Sequence, residues 1–395
     1  MWYSREISLN LQVDYNIEYH MKKLLFMVPV IVACLAGCHG TADPDVNNPE
    51  NEDSENSTAD LEGTITLYTD RDIIMADDEY AAVLKVLLMD KSGVEHDVTA
   101  DVEIYSEGSD APLTSPVFKT AKEGEYKFYA LRGFDMSNTV SVLAIKDVPE
   151  LPADPEAEAL DFRHRMMLVQ HTGNECPNCP RLMDILKRLS EDEDYNQLYY
   201  HVASHSYNET DNAYSSAAAT LSKTFNLPGY YPWLTYNLTT VEGFELAEIK
   251  AAIDERHKDV AVAGICASAA QVGTCIYAQV ALKAAQTGKY RVAAWLLEDG
   301  IRSIQSGATA SWHHMHENCL RAMFGQTKNE CIYGKPVGEV KAGETSDFIV
   351  KIDLESGWVA ENCELIVLVV SGSGDYELLN CTVCPVGGTV SYDYL

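Results

Sequence analysis

The sequence predicts a multidomain α+β protein: a β-sandwich near the N-terminus, a central α/β segment and a second β-sandwich at the C-terminus. Three observations point there. Apolar and polar residues alternate in short runs over 63–145 and again over 259–395, the period of strands with one buried face. Between those regions, runs with helical spacing interrupt strand-like ones, the order of an α/β unit. The 395 residues also exceed what one hydrophobic core holds, roughly 250–300 residues. A hydrophobic content of 46% with 23% charged residues excludes wholesale disorder. Lys and Arg number 29 against 60 Asp and Glu, a net charge of −31. That balance excludes nucleic acid as a partner, because phosphate binding needs concentrated positive charge. The 11 cysteines leave disulfides, metal ligands and redox catalysis all open.

The compartment is read from the front of the chain. Residues 1–20 precede a Met-Lys-Lys start and are read as an extension from a misassigned start codon. Residues 21–37 join Lys22 and Lys23 to an apolar run that is too short to span a bilayer, which takes about 20 apolar residues, and fits a signal peptide. The run ends in Leu35-Ala36-Gly37-Cys38, which resembles the lipobox of bacterial lipoproteins. The resemblance implies a diacylglycerol on Cys38 and a membrane partner reached through that lipid. Asp43, Asp45, Glu50, Glu52, Asp53, Glu55 and Asp60 then fall in 38–60 without a Lys or Arg, a composition for a solvated tether. An acidic stretch in this place resembles the export signal of Bacteroidetes lipoproteins. It implies an outer-membrane location, with display on the cell surface and a periplasmic facing as the two readings.

Residues 61–148 contain the runs Thr64–Thr69, Ala82–Leu88, Val102–Tyr105, Tyr126–Ala130 and Thr139–Ala144, separated by Asp-Lys-Ser-Gly and Lys-Glu-Gly turns. They predict an antiparallel sandwich. The stretch Gly124–Ala130 followed by Ser137–Val142 resembles the last strands of bacterial immunoglobulin-like domains. That resemblance implies that the Tyr126 hydroxyl ties down a loop. Pro149, Pro152 and Pro155 among acidic residues make 149–160 a semi-rigid linker.

The chemistry concentrates in 161–258. Met166–His171 reads as a buried strand, Thr172–Glu175 as a turn, and Cys176-Pro-Asn-Cys179 as the opening of a helix. Leu182, Ile185, Leu186 and Leu189 give that helix one apolar face. A first cysteine near a helix N-terminus has its thiolate stabilised, and a second one turn on can resolve a mixed disulfide. Leu198–Ala203 reads as the next strand, and Ala213–Phe225 and Phe244–Lys258 as helices.

The strand, turn, CxxC and helix order resembles the thioredoxin fold. Gly229-Tyr-Tyr-Pro-Trp233 resembles its cis-proline loop, which implies that Pro232 docks substrate beside the cysteines. With His314-Met-His-Glu-Asn-Cys-Leu-Arg321, these stretches resemble the outer membrane protein 28-related family over about 160–395. Glu175 stands where active thioredoxins carry an aromatic residue, and a carboxylate there raises a thiol's pKa. No buried acid is evident in the preceding strand, and His171 is the nearest candidate to move a proton. Redox exchange through Cys176 and Cys179, a structural disulfide, and metal binding stay open as readings of the pair.

Residues 259–395 hold seven cysteines, so at least one stays free or pairs between chains. A hairpin centred between Ala270 and Gln271 puts Cys266 opposite Cys275, where a cross-strand disulfide fits. Cys381-Thr-Val-Cys384 lies in an extended stretch and reads as structural. His313, His314 and His316 lack metal-ligand spacing and read as a turn, with His314 and His316 on one face of a strand. No motif calls for a cofactor or metal. The chain is therefore expected to be a lipid-anchored thiol–disulfide oxidoreductase acting on a protein substrate, with Cys176 attacking, Cys179 resolving and Pro232 docking. The alternative is a non-enzymatic surface lipoprotein that binds a ligand on a thioredoxin-like scaffold.

Overall fold

A computed structural model describes residues 61–395 apart from 226, 228, 241 and 242; the N-terminal extension, the signal peptide, Cys38 and the acidic tether lie outside the described residues. The described chain is mostly β-sheet, arranged in several sheets with four helices.

Alternation along the first module gives it two sheets. Gly63–Thr69, Ala82–Asp90, Glu95–Asp97 and Val117–Phe118 form one; Ile73–Met75, Val140–Ile145, Gly124–Arg132, Glu103–Ser106 and Asp135–Met136 form the other. Their facing side chains, among them Leu67, Leu84, Val86, Phe128 and Val142, make one core. One pairing departs from the antiparallel expectation. The chain switches sheets after Thr69, so Ile73–Met75 runs parallel to Val140–Ile145. The Tyr126 hydroxyl donates to the Lys122 carbonyl at 3.1 Å, closing the loop before its own strand.

The linker is docked rather than free. Lys283, 3% exposed, donates to Asp154 Oδ2 at 2.9 Å and to the Ala157 carbonyl at 2.6 Å. Tyr394 holds the other Asp154 oxygen at 2.8 Å. A buried ammonium must be fully partnered to be tolerated, and this one recruits the linker as its partner.

The central segment and the C-terminal region share a sheet. Met166–Thr172 lies between the antiparallel strand Trp233–Tyr236 and the parallel strand Tyr199–His205. The nine-stranded sheet then continues through Cys319–Met323, Gly288–Glu298, Cys363–Ser371 and Leu378–Pro385. The join is a single register pair, Ala203 with Cys319, reinforced by the Ala203 amide donating to the Asn318 carbonyl at 2.8 Å. The division expected at 258/259 therefore marks no break in the sheet. The reason is apolar continuity: Met167, Val169 and Val202 share one core with Trp295, Leu320 and Leu368, and separating them would expose both halves. On the opposite face, Thr345–Asp353, Cys275–Ala284, Ala263–Val272 and Gly388–Val390 form a four-stranded sheet. That sheet packs Ile265, Ile276 and Val280 against Val292, Leu365 and Val367.

Two local expectations are corrected. The hairpin turns at Gly273–Thr274, so Cys266 pairs with Ala281 and Cys275 with Val272; Gly273 supplies the positive φ of 62° that the turn needs. No Cys266–Cys275 bridge forms, because Cys275 sits at the turn while Cys266 lies several residues down the partner strand. The helix expected from Ala213 begins at Ser216, because the Ser215 side chain caps it by accepting from the Ala218 amide at 3.0 Å.

Candidate functional site

The buried strand Met166–Thr172 delivers the chain to a turn. The Cys176 amide donates to the Gly173 carbonyl at 3.1 Å. The helix starts at Cys179, the last residue of the stretch expected to open it, and runs to Ser190 with Pro180 in its first turn, where a missing amide hydrogen costs nothing. Leu182, Ile185, Leu186 and Leu189 are all buried, as their spacing predicts. Cys176 thus lies in the turn and Cys179 in the helix, and a disulfide joins them. The Tyr231–Pro232 bond is cis.

Burial decides what this pair can do. Cys176 is 2% exposed and Cys179 is fully buried. The cover is a segment of the C-terminal region. Gln305, itself 3% exposed, donates through Nε2 to the Cys176 carbonyl at 2.8 Å and to the Gly173 carbonyl at 3.2 Å. The Ser306 amide donates to the Asn174 carbonyl at 2.6 Å. Gly307 approaches so closely that a Cβ there would stand 2.2 Å from the Pro177 carbonyl oxygen, and its φ is +70°. Only glycine meets both conditions without strain. A surface depression beside the turn is lined by Pro177, Pro180, Tyr231, Pro232 and Gly307, but neither cysteine lines it. Pro232 shares this lining with Pro177, which lies between the cysteines in sequence, so a chain docked at Pro232 meets proline and glycine rather than sulfur.

The histidine-rich stretch holds this cover down. Residues Ser311–His314 form a 3₁₀ turn and only Met315–His316 are extended, so His314 and His316 do not share a strand face as expected. His313 Nδ1 accepts from the Thr309 amide at 3.2 Å, and its Nε2 meets Asp184 Oδ1 at 2.9 Å. His314 Nδ1 accepts from the Gln305 amide at 3.1 Å, and His316 Nε2 donates to the Ser303 carbonyl at 3.3 Å. Three imidazoles thereby fasten the segment 303–309 over the disulfide. Among the described residues no group of three or more His, Cys, Asp or Glu is placed to hold a metal ion.

The proton carrier suggested by sequence is placed elsewhere. His171 is fully buried, which pushes it down to about 3. Its nitrogens face Ser222 Oγ at 3.2 Å and Thr235 Oγ1 at 3.3 Å, so both are committed to hydroxyls rather than to a sulfur. The carboxylate that does support the turn is Asp211, which sequence reading missed. It accepts from the Asn174 amide at 2.8 Å and from His205 Nδ1 at 2.7 Å. Burial raises its carboxyl, but the His205 contact and the amides of Ala213 and Asn174 outweigh that and leave it below the usual range. Its position on an irregular loop carries no periodic signal. Glu175 points outward, accepting from Thr210 Oγ1 at 3.4 Å.

The tail thiols are unpaired. Burial pushes Cys266 and Cys384 up to about 11 and Cys363 up to about 12. At neutral pH such thiols hold almost no thiolate, the form that reacts.

No family model matches the chain, and no curated protein matches it. Among solved structures it is similar to HBP35 of Porphyromonas gingivalis at 13% identity and a TM-score of 0.48, over 60% of this chain and 78% of that one. It is also similar to the surface layer protein SbsC, domains 4–9, at 11% identity and a TM-score of 0.18, over 83% of this chain and 51% of that one. Likenesses this distant carry no argument about chemistry.

Proposed function

We propose that this chain is an exported lipoprotein, anchored in the outer membrane through Cys38, whose thioredoxin-like region serves as a binding scaffold with Cys176–Cys179 as a structural disulfide. The burial of Cys176 under Gln305, Ser306 and Gly307 carries the reading. Thiol exchange requires in-line access of a substrate sulfur to the disulfide, and a cover fastened by three histidines denies it. The immunoglobulin-like module and the acidic tether act as spacers that hold this scaffold away from the membrane. Membership of the outer membrane protein 28-related family belongs to the same proposal, resting on the CxxC, Gly-Tyr-Tyr-Pro and His-Met-His stretches.

The oxidoreductase reading keeps one supporting feature, the closeness of Pro232 to the turn that bears the cysteines. Insulin reduction separates the two. The chain should reduce insulin no faster than its Cys176→Ser variant. Turnover that the substitution abolishes would restore the oxidoreductase. Palmitate labelling of cells expressing the full chain, lost in Cys38→Ser, tests the anchor.

A further inference from the structure

On the far side of the CxxC helix from Pro232 lies a cavity of about 600 Å³, within the roughly 300–1,000 Å³ typical of small-molecule sites. Its walls are Met183, Leu186 and Lys187 of that helix, the strands that carry Gln170 and Tyr199, and the segment from Trp312 to Asn318. Nothing in the redox or structural reading of the disulfide uses it.

Two buried polar side chains in its lining each carry an atom without a partner. Gln170 and Thr172 are each 3% exposed, and neither Gln170 Nε2 nor Thr172 Oγ1 has a hydrogen-bond partner. The orientation of the amide is enforced by its neighbours. His201 Nε2 meets Gln170 Oε1 at 3.2 Å, while Asn318 Nδ2 approaches His201 Nδ1 at 3.5 Å. That chain puts the hydrogen on His201 Nε2, turns the Gln170 oxygen toward it, and leaves the amide hydrogens unclaimed. Buried polar atoms left unmatched cost on the order of 1–3 kcal/mol each, so a pair of them on side chains that line a cavity favours a ligand whose hydroxyls could meet them.

The lining also excludes ligand classes. Lys187 is engaged by Glu191 at 2.8 Å and stands over the Trp312 ring at 5.7 Å. Glu317 accepts from the Gly300 amide at 2.7 Å. His205 is taken by Asp211 and stacks edge-on against His316 at 4.6 Å. Burial, with His205 beside them, pushes His201 and His316 down to about 4, so both are neutral at physiological pH. No free cation awaits an anion among these groups, and no free carboxylate awaits a cation. What remains is an unclaimed amide donor, an unclaimed hydroxyl, neutral imidazoles and the rings of Tyr199, Tyr200 and Trp312. Aromatic faces with amide and hydroxyl hydrogen bonds and no net charge suit a neutral, polyhydroxylated ligand.

We propose that this cavity binds a neutral saccharide of one or two rings, with Trp312 as a stacking wall and Gln170 and Thr172 as hydrogen-bonding partners for its hydroxyls. The inference names a ligand class for the binding role proposed above, and the two fail separately. Insulin reduction by the chain would overturn the scaffold reading and leave the sugar measurements unaffected.

The test is titration of the full chain with the methyl glycosides of glucose, galactose and N-acetylglucosamine, and with N-acetylneuraminate as the anionic probe, followed by ligand-observed NMR and calorimetry. At least one neutral glycoside should bind saturably and more tightly than N-acetylneuraminate. Its affinity should fall by about tenfold or more in Trp312→Ala, a half-buried position, and in Gln170→Leu. Circular dichroism checks folding of both variants, and if Gln170→Leu does not fold, Trp312→Ala decides alone. Three outcomes overturn the proposal: no saturable binding of any neutral glycoside at roughly ten-millimolar concentration, preference for the anionic sugar, or unchanged affinity in a folded Trp312→Ala.

Discussion

The chain contains the spacing Cys-x-x-Cys twice, and the two copies have opposite fates. Cys176 and Cys179 straddle a turn and the first residue of a helix, where the backbone doubles back and brings the sulfurs into a disulfide. Cys381 and Cys384 sit on the strand Leu378–Pro385. Side chains on a strand alternate between faces, so residues three apart point in opposite directions. Cys381 enters the core shared with Met167 and Trp295, and Cys384 enters the core between the two C-terminal sheets. The same four-residue spelling yields a covalent staple in one place and two separate apolar side chains in the other. Spacing alone does not carry redox chemistry; backbone conformation decides whether the sulfurs meet, and cover decides whether anything reaches them.

Uncovering the first pair should change its reactivity most. Gly307→Val adds a branched side chain where a Cβ would already collide with Pro177 and where φ is positive, so the segment 303–309 must lift. After mild reduction, iodoacetamide should modify Cys176 on the order of 100-fold faster than in the wild type, since local opening is worth about 1.4 kcal/mol per decade. Cys381 and Cys384 should stay unmodified in the same experiment. An unchanged Cys176 rate, read by peptide mass spectrometry, would mean the segment is not the cover.

A second measurement sharpens the contrast through stability. Replacing both Cys176 and Cys179 by Ser removes a cross-link over a very short loop, worth about 2 kcal/mol from loop-closure entropy. The melting temperature should fall by several degrees, and dithiothreitol should lower the wild-type value toward that of the variant. Cys384→Ser buries a hydroxyl in place of a thiol and should cost about 1 kcal/mol, leaving the response to dithiothreitol intact. A loss of that response in Cys384→Ser would show that the second pair is coupled to the first.

A third measurement follows the pH dependence of the first pair's surroundings. His171 is pushed down to about 3, and His201 and His316 to about 4, each from an ordinary 6.5 and each mainly by burial. The unfolded chain therefore binds these protons first as pH falls below about 6.5. Stability that is fully present above that value should drain away toward pH 4. Melting temperatures measured across this window should decline steadily, and His316→Gln should flatten the slope. A flat profile from pH 7 to 4 would contradict the neutral, buried state assigned to these rings.

Much of the architecture was legible in sequence because it rests on local periodicity. The alternation in Ala82–Leu88 and the helical spacing of Leu182, Ile185, Leu186 and Leu189 each declare a buried face without reference to any distant residue. The turn at Cys176 and the linker prolines are equally local. The cover was not legible: Ser303-Ile-Gln-Ser-Gly307 has no period, and its purpose exists only because Pro177 lies beneath it. The same holds for Asp211, an acid in a loop, and for Gln170, whose unmatched amide emerges only beside His201 and Asn318. The continuity of the sheet across 258 was hidden for a related reason, since nothing local reveals that Ala203 and Cys319 lie side by side. Local pattern along the chain dictates the strands, the helices and the two Cys-x-x-Cys spacings. Which pair joins, what covers it and where a cavity remains are settled by folding, because each depends on contacts between residues far apart in the chain.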